Sequence, residues 1–119
     1  MSDDFSPTPP ARFLTFDPAR RSAVSFRNAA GLQLAAHLYR PPSTSPAART
    51  PAIAMVGPVS SVKEQTLPYY AERFADAGYT VLALDPRGFG ESEGEPRAHY
   101  DPALVIEDYS TAANYLMGR

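Results

Sequence analysis

Residues Gly90-Glu91-Ser92-Glu93-Gly94 have the types and spacing of a nucleophile turn, in which a serine between glycines is presented for attack on an acyl carbon. That chemistry depends on context. A strand must run into the serine and a helix must leave it, so that the hydroxyl stands clear of the backbone. The sequence around Ser92 provides neither. The apolar run 79–84 ends at Asp85-Pro86, well short of Ser92, and Glu95-Pro96 continues the loop beyond Gly94. A nucleophilic serine also needs a base, and the histidines are His37 and His99. A Ser92–His99–Asp101 set can be composed, because triads are defined by geometry. His99, however, shares the loop with Ser92 and has no element to hold it. Glu91 and Ser92 are therefore expected to tie the loop down, and no catalytic residue is assigned in this chain. His37 alternates with the apolar residues of its segment, which predicts a surface imidazole rather than a base or ligand.

Gly88, Gly90 and Gly94 invite a dinucleotide-binding reading. That motif needs a helix N-terminus whose N–H groups face a pyrophosphate. Here Glu91, Glu93 and Glu95 would repel phosphate, and Glu95-Pro96 intervenes before any helix. Asp85 and Arg87 are expected to pair with each other and brace the turn. Asp3, Asp4, Glu107 and Asp108 show no metal-ligand spacing with a histidine, and there is no cysteine for thiolate chemistry or cysteine-ligated zinc. Neither a metal nor a cofactor is expected. The tyrosines, among them Tyr69, Tyr70, Tyr79, Tyr100, Tyr109 and Tyr115, have no interleaved basic residues of the kind a nucleic-acid stacking surface requires.

These residues need elements to position them. The chain has 119 residues with 44% hydrophobic and 20% charged side chains, the composition of one globular domain. Its net charge of −2, with no basic cluster, argues against nucleic acid and anionic membranes as partners. No apolar run approaches the roughly 20 residues of a membrane helix. Met1-Ser2-Asp3-Asp4 does not resemble a secretory signal, which leaves the cytoplasm as the expected compartment. Pro7, Pro9, Pro10 and Pro18 mark residues 1–22 as a mobile tail, and residues 23–119 form the domain. Residues 24–27 and 32–39 alternate around an Asn28–Gly31 turn and predict an antiparallel hairpin at the sheet edge. Residues 52–56 predict a fully buried strand. A helix is predicted over 66–77, with Tyr70, Phe74 and Ala77 facing inward and Leu67 and Ala71 alongside. Gly78 is placed to end it. A buried strand over 79–84 follows. A last helix begins at Asp101-Pro102, a cap followed by proline at the first helical position, with Val105, Tyr109, Ala112 and Leu116 inward. The order is β-β-β-α-β-α, an α/β fold with an antiparallel edge hairpin and then parallel strands.

This order, and several segments in it, resemble the N-terminal half of an α/β-hydrolase, most of all the dienelactone-hydrolase-like and acyl-peptidase-like bacterial enzymes. Ala30-Gly31-Leu32-Gln33-Leu34-Ala35-Ala36-His37-Leu38-Tyr39-Arg40-Pro41 is similar to their opening hairpin. Gly57-Pro58-Val59-Ser60-Ser61-Val62-Lys63-Glu64-Gln65 is similar to the turn after their third strand. Ala77-Gly78-Tyr79 and the run from Gly90 to Arg97 look like the corner and loop that follow. The likeness covers about residues 24 to 119. It implies a serine hydrolase for esters, thioesters or amides whose nucleophile, acid and histidine lie beyond Arg119, with a small-molecule acyl substrate in the full-length parent. It also implies a backbone oxyanion donor in the turn, at Val59 and Ser60. This chain departs from the family there, with Gly57 in place of the usual histidine and Val59-Ser60-Ser61 in place of glycines. The competing expectation is a non-catalytic α/β module or gene remnant that needs a partner chain. A sheet ending at 79–84 would leave that last strand with an unpaired edge.

Overall fold

A computed structural model describes residues 15–42, 49–57 and 62–118. Residues 1–14 of the predicted tail, and the oxyanion candidates Val59 and Ser60, lie outside the described residues. The elements are β1 (Arg21–Arg27), β2 (Gln33–Tyr39), β3 (Ala52–Met55), α1 (Leu67–Asp76), β4 (Thr80–Leu84) and α2 (Pro102–Met117), in the predicted order. One short 3-10 turn, Pro18–Arg20, leads directly into β1. Residues 21 and 22, which composition places in the tail, are thus the first residues of a strand.

The four strands form one sheet in the order β1-β2-β4-β3. β1 and β2 pair antiparallel from Arg21↔Tyr39 to Arg27↔Gln33. β2 pairs antiparallel with β4, and β3 pairs parallel with β4. The hairpin turn is held from within. Asn28 N–H donates to the Leu32 carbonyl (3.0 Å), and Leu32 N–H donates to Asn28 Oδ1 (2.9 Å). Gly31 sits at φ 81°, a conformation open to residues without a Cβ.

The pleat sends alternate residues to opposite faces, and each face receives one helix. Leu34, Ala36, Leu38, Leu82 and Leu84 pack with Ala112 of α2. Phe26 stacks on Tyr115 with ring centroids 4.7 Å apart on the same side. Tyr39, Val81 and Ala83 pack with Leu67, Ala71 and Ala75 of α1. β4 is buried at every residue because it has a strand on each side and a helix on each face.

Three expectations about the elements need correction. Among the described residues the unpaired edges belong to β1 and β3 and not to the last strand, because β4 inserts between β2 and β3. β3 is correspondingly half-buried rather than fully buried. Its apolar sequence suits a neighbour on each side, and it has one. The inward face of α1 is also rotated from the predicted one: Leu67, Pro68, Ala71, Glu72 and Ala75 are buried, whereas Tyr70 is 56% and Phe74 38% exposed. Small side chains at 71 and 75 let the helix backbone approach the sheet, and this close approach outweighs the larger area that the aromatic rings would bury.

Candidate functional site

The chemistry-bearing residues gather at the end of β4, where Asp85 begins the loop that leads to Arg97. The β2–β4 ladder ends at Ala36↔Leu84, and Asp85 N–H adds one more bond to the Ala35 carbonyl (3.0 Å). Past that point the loop supplies the partners that β2 still needs. Glu93 N–H donates to the Gln33 carbonyl, and Gln33 N–H donates to Glu93 Oε1, each at 2.8 Å. Ser92 Oγ accepts from Ala35 N–H (2.8 Å) and donates to the Asp85 carbonyl (2.6 Å). Ser92 is 1% exposed. Its one hydroxyl proton is directed at a backbone oxygen, no strand enters it, and α2 begins only at Pro102. His99 and Asp101 line a different cleft of about 130 Å³ beside Arg87 and Pro96, and Asp101 caps α2 by accepting from Ala103 N–H (3.0 Å). The structure does not assemble a Ser92–His99–Asp101 set. Arg97 holds the loop from outside, donating to the carbonyls of Ser92 (2.6 Å) and Gly90 (2.8 Å). Gly88, Gly90 and Gly94 all have positive φ in this loop, away from any helix N-terminus.

Asp85 and Arg87 each brace the turn, but not as a pair. The Asp85 carboxylate, fully buried, accepts from Lys63 N–H (2.8 Å), Lys63 Nζ (2.7 Å) and Glu91 N–H (3.1 Å). It therefore joins the segment before α1 to the loop after β4. Arg87 turns the other way, to the fully buried Asp108 of α2, which accepts from its side chain (2.9 Å) and its backbone N–H (2.8 Å). Asp108 also accepts from Asn28 Nδ2 (3.0 Å), so one carboxylate ties α2 to the β4 loop and to the hairpin turn. β4 ends at Leu84 and a turn begins at Pro86, whose carbonyl accepts from Phe89 N–H (3.1 Å), so strand alternation does not relate the Asp85 and Arg87 side chains. Sequence reading missed Asp108 because it falls among polar residues beside Glu107. Its place on the helical face with Val105 and Ala112 was the available signal.

The Lys63 side chain is 1% exposed and its Nζ holds three carboxylates, Glu91 (2.6 Å), Asp85 (2.7 Å) and Glu64 (3.1 Å). Burial works against the charge, but the hydrogen bonds to Asp85, Glu91 and Glu64 outweigh it, so the Lys63 pKa stands above the ordinary lysine value. The bond from Lys63 correspondingly lowers the pKa of Glu91.

His37 lies beside this cluster and is 7% exposed, not the surface imidazole that alternation predicts. β2 lies inside the sheet, and α1 packs on the face that His37 shares with Tyr39. Burial, then the charges of Arg21 and Lys63, push the His37 pKa down. One ring nitrogen of His37 and one oxygen from each of Glu64 and Glu91 lie within 4.8 Å of one another. No spacing rule could find this group, since its members come from three distant segments. No helix among the described residues is long and apolar enough to cross a membrane.

Comparison with known proteins agrees with this architecture. A thiohydrolase of Aspergillus aculeatus is 42% identical over 95 residues, covering 80% of this chain and 28% of the relative. The solved structure of a hypothetical protein from Pseudomonas aeruginosa superimposes with a TM-score of 0.74 at 40% identity, covering 82% of this chain and 31% of that one. An α/β hydrolase from a Penicillium species gives a TM-score of 0.73 at 35% identity, covering 80% of this chain and 31% of that one. The chain spans about a quarter to a third of the length of the curated relatives it matches. Its sheet and helices correspond to the N-terminal portion of the α/β-hydrolase fold. Residues 30–111 match the X-Pro dipeptidyl-peptidase (S15) family, and the chain belongs to that α/β-hydrolase-type family.

Proposed function

We propose that this chain is the N-terminal segment of a cytoplasmic serine hydrolase that cleaves an ester, thioester or amide bond of a small acyl substrate. Its nucleophile, acid and histidine would come from polypeptide that these 119 residues do not include. The observation that carries this reading is the S15 family match over residues 30–111, and the state of Ser92, whose hydroxyl is buried and bonded to the backbone on both sides, favours a nucleophile outside this segment. A second observation supports it: β3 stands at the sheet edge with an apolar sequence and half-buried residues. A further parallel strand placed there would complete its ladder and could carry a nucleophile at its carboxyl end. In this arrangement the turn after β3 contributes a backbone oxyanion donor at Val59 and Ser60, and Asp85 with Lys63 tethers the end of that turn to β4. The thiohydrolase relative favours thioesters among the candidate bonds.

Two measurements test the proposal. The purified 119-residue chain, assayed with p-nitrophenyl esters and acyl thioesters, is expected to show no turnover above buffer. Turnover that disappears in Ser92→Ala would overturn the proposal. The reading frame downstream of the Arg119 codon is expected to continue through a strand, a second GxSxG and a helix. A stop codon there would favour the alternative, a non-catalytic α/β module that folds against a partner chain through the β3 edge.

A further inference from the structure

The Lys63 cluster has an excess of negative charge and an imidazole with an idle nitrogen. Asp85, Glu64 and Glu91 are three carboxylates in direct contact with a single ammonium. Arg21 adds a second positive charge beside Lys63 whose field reaches His37, so three carboxylates face two cations. Lys63 occupies one oxygen of Glu64 and one of Glu91, and a carboxylate has lone pairs on both oxygens. An ion can therefore bind these side chains while the lysine stays in place.

His37 supplies the independent observation. The residue is 7% exposed, and its Nδ1 is buried with no hydrogen-bond partner among the described residues. A buried polar nitrogen without a partner is costly and is expected to acquire one. A ring nitrogen of the same residue lies within 4.8 Å of oxygens of Glu64 and Glu91. Zinc-type ions bind imidazole nitrogen and carboxylate oxygen at about 2.0–2.2 Å, so the three donors would close in from their present separations to share one ion. The Glu64 and Glu91 side chains are 41% and 70% exposed, so each can turn about its Lys63 bond, and the site is open to a water as fourth ligand. The donor set of one nitrogen and two oxygens suits a divalent transition metal better than magnesium or calcium, which prefer oxygen alone.

We propose that His37, Glu64 and Glu91 form a binding site for one divalent transition-metal ion of the zinc type, on the face of the sheet that carries α1. The site goes beyond the hydrolase reading and does not depend on it. It would pin the segment before α1, the loop after β4 and the centre of β2 to one ion.

Cobalt(II) titration of the 119-residue chain is the direct test, followed by visible absorption and calorimetry, with circular dichroism to verify folding. One ion per chain is expected, with paramagnetic shifts on the His37 ring protons and none on those of His99. Glu64→Gln and Glu91→Gln change exposed side chains and should fold. Each is expected to weaken binding at least about tenfold. His37→Gln should abolish binding, and His99→Gln should leave it unchanged. No saturable binding by the folded chain, or binding indifferent to both glutamate variants and to His37→Gln, would overturn the site.

Discussion

A serine hydroxyl has one proton to donate, and Ser92 directs it to the Asp85 carbonyl while accepting from the Ala35 amide. Removing it leaves both backbone groups unpaired in a buried place. Ser92→Ala is therefore expected to lower unfolding free energy by about 2 kcal/mol in urea denaturation, with the loop loosened and the sheet retained. Gly90 is under a tighter constraint. It has positive φ, and a Cβ there would run into the Asp85 carboxylate, the group that holds Lys63. Gly90→Ala should cost about 2 kcal/mol or more in the same measurement, because strain and the disturbed ion cluster act together. Glu91 and Ser92 were recognisable as loop anchors from the sequence. The identity of their partners was not, since Ala35 and Lys63 come from other segments.

Among the elements, α2 is defined at its start by Asp101-Pro102 and tied at its centre by Asp108. The Asp108 side chain is fully buried against Arg87, whose own side chain is 13% exposed. Deleting one partner of a buried ion pair leaves the other charge uncompensated. Asp108→Ala should destabilise by about 3–5 kcal/mol, measured by chemical denaturation, with Asp108→Asn losing less because it keeps hydrogen-bonding atoms. α1 gives a contrast between its two sides. Ala71 is fully buried against the sheet, so Ala71→Leu should cost about 1–3 kcal/mol by overpacking. Tyr70, 56% exposed, should tolerate Tyr70→Ser within about 0.5 kcal/mol. Thermal unfolding of the two variants compares the faces directly.

For the whole molecule, the decisive feature is that β4 lies inside the sheet and β3 outside it. Among the described residues, β3 is paired along one side only, whereas β4 is paired along both. Hydrogen exchange should therefore be faster at the β3 amides than at those of β4. If polypeptide following this segment supplies the neighbouring strand, β3 protection should rise when that polypeptide is present. Equal, strong protection of β3 and β4 in the 119-residue chain would argue that the edge is already satisfied. Apolar surface is also exposed on α2, at Ile106 and Met117.

Local signals determined much of this protein. Alternation predicted β1 and β2, the Asn28–Gly31 turn joined them, and Asp101-Pro102 placed the start of α2 within a residue. These features depend on neighbours in the chain, so a linear reading reaches them. The order of strands, the rotation of α1, the burial of His37 and the partners of Asp85, Arg87 and Lys63 were decided only by tertiary structure. Each depends on which segments, tens of residues apart, pack against one another. The helical face of Asp108 could signal burial, but its role emerges only when Arg87 and Asn28 converge on it.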